Sequence, residues 1–417
     1  MSEAYIIDAV RTPRGLGKMG KGALSQMHPE HLAATVLTAV QERNGLNTAD
    51  VDDVIWGVSG QIGLQAGDVG RMAALDAGYD IRASGVTLNR FCGSGLTATS
   101  LAAGQIMSGM EDLVIAGGSE MLSYVTMFGM KQREAGVGSL GMGVGNPRLQ
   151  AVHPQSNQGV CADAVAAMEG ITREELEVLG VESQRRAAKA IEEGRFDKST
   201  ITVRDDDGNV LLDHEEYPRP ETTLESMAGL KPAFEMFYNM PSQPDGLTYV
   251  ELIKQKYPDL EIKPLHHVGI SSGVVDGAAA IVLASKDYAE KHGLKPRARI
   301  VAMANVGDDP TLMLNAPVPA AEKVLAKAGL SKEDIDIWEV NEAFAVVVEK
   351  FIRDLDLDRE KVNVNGGSMA LGHPIAATGA ILIGTALDEL ERTGGRYGLI
   401  TMCAAGGMAP AMIIERI

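Results

Sequence analysis

At 417 residues the chain exceeds the length one hydrophobic core usually serves, so two or three domains are expected. Its formal net charge of -18 argues against nucleic acid or an anionic membrane as partner, since the average field repels both. Three cysteines, none closely paired, exclude a disulfide framework and a cysteine-rich zinc site, and they fit a reducing cytoplasm.

The opening run Met-Ser-Glu-Ala-Tyr-Ile-Ile-Asp-Ala-Val leads directly into an apolar strand and lacks the charged and apolar regions of a signal peptide, so a soluble cytoplasmic protein is expected. An alanine-rich amphipathic helix over 30–43 precedes Gly45-Leu46-Asn47-Thr48-Ala49-Asp50-Val51-Asp52-Asp53-Val54-Ile55-Trp56. The alternating strand Val86-Thr87-Leu88-Asn89 then enters the turn Asn89-Arg90-Phe91-Cys92-Gly93-Ser94-Gly95, and a helix continues to about 106. Cys92 thus stands at a helix N-terminus, where partial positive charge and free N–H groups lower a thiol pKa and can hold an oxyanion. An apolar strand, Leu113-Val114-Ile115-Ala116-Gly117-Gly118, follows.

Residues 121–271 break this alternation with a stretch rich in glycine, proline and charge, which reads as an inserted lid domain holding one clear amphipathic helix over 172–194. Packing explains its Cys161 adequately. The run Gly136-Val137-Gly138-Ser139-Leu140-Gly141 satisfies G-x-G-x-x-G, but no apolar strand precedes it and Pro147 follows, so it is not read as a dinucleotide site. Residues 273–284 return to a buried strand of the first half.

The second half repeats the first. A helix over 319–328 precedes Gly329-Leu330-Ser331-Lys332-Glu333-Asp334-Ile335-Asp336-Ile337-Trp338, the counterpart of the run ending at Trp56. The alternating strand Val362-Asn363-Val364-Asn365 matches Val86 to Asn89, and Leu399-Ile400-Thr401-Met402-Cys403 with Gly406-Gly407 matches the strand at 113–118. The uncharged stretch 398–414 holds paired glycines and Pro410, which makes it strand, turn and strand and not a membrane helix. Alternation of helix and strand in both halves implies a mainly parallel sheet covered by helices on both faces, occurring twice.

Gly372-His373-Pro374 supplies an imidazole in another glycine-rich turn, and a thiol needs such a base near neutral pH. A cysteine and a histidine alone would also suit a hydrolase. The second thiol, Cys403, is what a hydrolase does not need: it can move a proton to and from the carbon beside a thioester carbonyl, as carbon–carbon bond chemistry between thioesters requires. Asn341 can fix a water or an oxygen, or can cap the next helix.

These motifs, with Asn341-Glu342-Ala343-Phe344, Gly117-Gly118-Ser119-Glu120 and Asp276-Gly277-Ala278-Ala279-Ala280, resemble the thiolases over nearly the whole chain. The resemblance implies an α/β fold of two duplicated mixed-sheet halves, layered α-β-α-β-α, with an inserted lid. The expected division is 1–120 (completed by about 272–295), 121–271 and 296–417. It implies acyl-CoA:acetyl-CoA C-acyltransferase chemistry, as in fatty acid β-oxidation, with CoA as substrate, no permanent cofactor or metal, CoA thioesters as the small-molecule partners, and a homodimer or homotetramer. His373 would activate Cys92, and Cys403 would protonate the acetyl-CoA enolate. One oxyanion hole would be His373 with a water held by Asn341, the other the N–H groups of Cys92 and Ala405. CoA contacts would fall on Arg219, Ser226, Ala233, Phe234, Ser272, Met313, Ala343 and Phe344.

The chain departs from the family at Ala405 and Ala376, which replace glycines, at Thr378, which replaces a serine, and at Gln158, which replaces a pocket methionine. The segment between Phe234 and Ser272 is longer than in compact acetoacetyl-CoA enzymes. Two alternatives compete. A decarboxylating ketoacyl synthase of the same fold would want histidine or asparagine where Cys403 stands, and an inactive CoA-binding subunit would not need Cys92, Asn341, His373 and Cys403 together.

Overall fold

The computed structural model describes residues 3–134, 146–242 and 246–417. The glycine run at 136–141 lies outside the described residues.

Twelve strands are described: β1 (Ala4–Arg11), β2 (Gly15–Leu16), β3 (Asp53–Gly57), β4 (Ser84–Leu88), β5 (Leu113–Met121), β6 (Val203–Arg204), β7 (Val210–Leu212), β8 (Val275–Ser285), β9 (Ala298–Gly307), β10 (Ile337–Val340), β11 (Tyr397–Thr401) and β12 (Met408–Arg416). Their order is β10-β11-β12-β9-β1-β8-β5-β3-β4, with β2 beside β8 and a separate β6-β7 ribbon. In the first half β4, β3 and β5 run parallel, while β8 lies antiparallel to both β5 and β1. In the second half β10 and β11 are parallel, and β12 lies antiparallel to both β11 and β9. The halves join where β1 pairs with β9 through Tyr5 and Ile6.

The duplication is therefore structural. Trp56 pairs with Thr87 of β4, and Trp338 pairs in the same sense with Val362. The helices before the repeated runs, Pro29–Asn44 and Pro317–Ala328, both end at a left-handed glycine, Gly45 and Gly329. Strand sense corrects the mainly parallel sheets read from the alternation of elements and agrees with the mixed-sheet halves the resemblance implied. A turn of a few residues joins β11 to β12, and so short a link permits only antiparallel pairing. Residues 362–365 also fail to form a regular strand. Asn363 adopts a φ of 49°, and its side-chain amide takes the place of a strand partner by accepting from the Val340 N–H and donating to the Val340 carbonyl, both at 2.8 Å.

Three apolar clusters show the layering. One packs the helix Pro29–Asn44 on one face of the first half-sheet, and another packs Pro317–Ala328 and Ala345–Leu355 on the outer face of the second. Between the sheets lie Ser94–Ser108 and Thr378–Thr393, whose Leu96, Ile106, Ile381 and Leu382 share one core with Ile55 and Ile400. Full burial of each such side chain is worth roughly 1.5–3 kcal/mol. This central layer delivers both helix N-termini, and the turns before them, to one place.

Candidate active site

Cys92 sits immediately before the Ser94–Ser108 helix, in a turn that forces Phe91 to a φ of 51°. An aromatic residue there carries local strain of roughly 1–3 kcal/mol. Side chains hold the turn: the Phe91 N–H donates to Asn89 Oδ1 at 2.7 Å, the Arg90 N–H to Ser94 Oγ at 2.9 Å, and the Ser94 hydroxyl to the Phe91 carbonyl at 2.6 Å. Burial, and then the negative charge of Glu120, push the Cys92 thiol up to about 12, while the N–H groups of Cys92 and Ala405 oppose this by pointing at the sulfur.

That contact brings the two halves together, because Ala405 belongs to the turn after β11. Cys403 is buried in the same turn, and its thiol is also pushed up, first by burial and then by its proximity to Cys92. The methyl group of Ala405 is no obstacle. Gly406 and Gly407 take the left-handed conformations, with φ of 80° and 74°, and Ala405 does not.

His373 is buried, and burial followed by the Arg14 charge lowers its pKa to about 3. Its Nδ1 lies 2.6 Å from Thr378 Oγ1, so the threonine preserves the hydroxyl of the serine it replaces. Asn341 Nδ2 stands 3.4 Å from Nε2, and the Ser368 hydroxyl donates to Asn341 Oδ1 at 2.6 Å. These contacts are satisfied together when Nδ1 carries the proton and Nε2 is bare, the state of a general base. Asn341 is not a helix cap, since the next helix, Ala345–Leu355, begins after Phe344 and has no side-chain cap.

Two groups at the site carry no sequence signal of their contacts, although Glu120 closes the Gly117-Gly118-Ser119-Glu120 run noted above. Glu120, fully buried, accepts from the N–H groups of Ser59, Gly60 and Ala376 and from Gln65 Nε2, and thereby ties the loop after His373 to the first half. Arg14 is fixed by Glu215, which also pairs with Arg11. Their partners lie 55 to 256 positions away in the chain for Glu120 and 201 for Arg14, too far for local pattern reading.

The candidate CoA contacts fall into two groups. Arg219 and Ser226 line a cavity of about 250 Å³ with Tyr217, Met227, Gly269 and Met369. Arg219 lies over the Tyr217 ring at 5.6 Å, and the Ser226 hydroxyl donates to the Thr223 carbonyl in a capping box. Phe234, Met313, Ala343 and Phe344 pack in one buried cluster with Cys403 and Ala405, to which Met227 and Met369 also belong. Ser272 donates its N–H to the Ala343 carbonyl at 3.0 Å, and Ala233 donates to the His266 carbonyl at 2.9 Å. Among the described residues no group of three histidine, cysteine or acidic side chains converges as metal ligands would.

Two family models match the chain: Thiolase, N-terminal domain, over residues 4–237 and Thiolase, C-terminal domain, over 294–416. The fold and these matches define an acyltransferase. The chain belongs to the thiolase family. It is 40% identical to a steroid 3-ketoacyl-CoA thiolase of Mycobacterium tuberculosis, covering 100% of this chain and 95% of that one. It is also 40% identical to a beta-ketoadipyl-CoA thiolase of Pseudomonas aeruginosa, covering 100% and 99%. The crystal structure of the Bacillus anthracis acetyl-CoA acetyltransferase superposes with a TM-score of 0.82 at 35% identity, covering 100% of this chain and 99% of that one. No described helix is long and apolar enough to cross a membrane.

Proposed function

We propose that the protein catalyses the reversible, CoA-dependent cleavage of a 3-ketoacyl-CoA into acetyl-CoA and a shortened acyl-CoA. The observation that carries this reading is the meeting of Cys92 with the Ala405 N–H and Cys403, one thiol from each half.

The Cys92 proton passes to His373 Nε2 as the sulfur attacks the 3-keto carbon. The resulting oxyanion receives the new imidazolium N–H and a donor held by Asn341. The C2–C3 bond then breaks, its electron pair forms the acetyl-CoA enolate, and the Cys403 thiol protonates C2. The Cys403 thiolate takes the thiol proton of an incoming CoA, whose sulfur attacks the acyl group on Cys92. The second oxyanion forms between the N–H groups of Cys92 and Ala405. Cys92 leaves and regains its proton from His373, so the enzyme is restored. Arg219 supplies a local cation for a CoA phosphate, and Phe234, Ser272, Met313, Ala343 and Phe344 wall its arm.

Two relatives are named for a steroid and for beta-ketoadipyl-CoA, which favours an acyl group other than a plain fatty chain. Assembly as a homodimer or homotetramer in the cytoplasm belongs to the same reading. The test is formation of two thioesters from a 3-ketoacyl-CoA and free CoA. Cys92→Ser is expected to lower the rate by roughly 10³-fold or more. Cleavage that persists in Cys92→Ser would sink the reading.

A further inference from the structure

Away from the thiols, three polar side chains meet within the segment read as the lid. Asp163, on the helix Gln158–Glu169, is buried and accepts three hydrogen bonds: from the His266 backbone N–H at 2.8 Å, from His266 Nδ1 at 2.7 Å and from the Tyr238 hydroxyl at 2.8 Å. Together they hold the His266 ring in one orientation with its proton on Nδ1. The other ring nitrogen, Nε2, is fully buried and has no hydrogen-bond partner. A buried polar atom left so costs roughly 1–3 kcal/mol, and a ligand that supplies a partner recovers that cost.

The ring packs against Phe344, a proposed wall residue of the CoA arm that shares a buried cluster with Cys403 and Ala405. It meets Phe344 edge-on, with centroids 5.6 Å apart at 87°, and Phe344 in turn meets Phe234 at 5.6 Å. Tyr238 comes from the extra segment between Phe234 and Ser272. The same segment is anchored on its far side, where the Tyr257 hydroxyl donates to Asp309 and Lys256 Nζ lies 2.8 Å from the same carboxylate. Asp309 also accepts the Thr311 N–H at 3.0 Å, two residues before the candidate CoA contact Met313. The extra segment therefore clamps the wall from two sides and supplies both His266 and Tyr238, one of the two residues that aim it.

We propose that His266 determines specificity, its Nε2 meeting an oxygen function carried on the acyl chain beyond the 3-keto carbon. The inference rests on the thiolase reading above. The bare nitrogen accepts from a hydroxyl, and once protonated it donates to a carboxylate. A plain alkyl chain gives it nothing.

The test uses the full-length protein and three 3-ketoacyl-CoA substrates of matched length: a plain chain, one hydroxylated near its end, and one ending in a carboxylate. The wild type is expected to favour at least one oxygen-bearing substrate in kcat/KM by about 10- to 100-fold, the worth of one buried hydrogen bond. His266→Phe is expected to bring that ratio to about one, and His266→Gln, which keeps a polar atom there, to restore part of it. No preference in the wild type, or an unchanged ratio in His266→Phe with both rates lowered equally, would overturn the proposal and leave a merely structural histidine. Transfer of an acetyl group from acetyl-CoA to Cys92 separates the two failures. Its absence in the wild type would overturn the thiolase reading itself, and its absence in His266→Phe alone would mark a misfolded variant, leaving His266→Gln to decide.

Discussion

The thiol and the imidazole rest as a neutral pair. Burial pushes Cys92 up to about 12 and, with Arg14 beside it, brings His373 down to about 3, so neither group is charged near neutral pH. The thiolate then forms only as the carbonyl is attacked. Alkylation of Cys92 by iodoacetamide in the ligand-free protein is accordingly expected to be slow at pH 7 and to keep rising beyond pH 9, the ordinary thiol value. A plateau already reached below neutral pH would show a resting thiolate–imidazolium pair instead. A second residue makes a stability statement. Glu339 is buried on β10 with both carboxyl oxygens unpartnered, and burial, then the charges of Glu342 and Glu389, raise its pKa well above 4.5. A raised folded pKa means the native state holds a proton that the unfolded chain releases above about pH 4.5, so this contribution to stability is present below that pH and is lost as pH rises toward the folded value. Glu339→Gln is therefore expected to unfold at a higher temperature than wild type at pH 8 and to lose most of that advantage at pH 5. An advantage that is larger at pH 5 would contradict the assignment.

The elements that build the site were legible where the chemistry is local. The turns of Cys92, His373 and Cys403 each lie in one short run, and the two tryptophan runs marked the repeat. Strand sense was not legible in the alternation of helix and strand and came only from the family resemblance, because it depends on how β8 and β12 return between their neighbours, and the interrupted strand at 362–365 depends on the side chain of Asn363 replacing a backbone partner. Nor could sequence alone show that Ala405 is tolerated, since that rests on φ values taken up by the two glycines after it. Glu120 and the Asp163–His266–Tyr238 cluster are assembled by packing between distant segments. One element contact is directly testable. A Cβ on Gly118 of β5 would lie 2.4 Å from the Ala376 carbonyl oxygen and 3.0 Å from that of Gly57, so neither backbone can yield cheaply. Gly118→Ala is expected to displace the loop after His373, lowering kcat by ~10²-fold because small misplacements of a catalytic group are costly, with overpacking worth roughly 1–3 kcal/mol. Full activity in a folded variant would show that the loop position does not matter.

At the scale of the molecule, the central layer draws its core from both halves, with Leu96 and Ile106 on one side and Ile381, Leu382 and Ile400 on the other. Neither half can bury that surface alone. Calorimetry of the whole chain is expected to show one cooperative transition, and two well-separated transitions would contradict a shared core. In the mechanism proposed above the two thiols take unequal duties, with Cys92 carrying the acyl group and Cys403 moving the proton. The most direct measurement is mass spectrometry of the Cys92 peptide after incubation with acetyl-CoA, made on wild type, Cys92→Ser and Cys403→Ala, beside the rate of 3-ketoacyl-CoA cleavage. The expected result is an acetyl group on Cys92 in wild type and in Cys403→Ala, none in Cys92→Ser, and cleavage lost in both variants. An acetyl group found on Cys403 instead, or cleavage retained without Cys403, would contradict the division of labour.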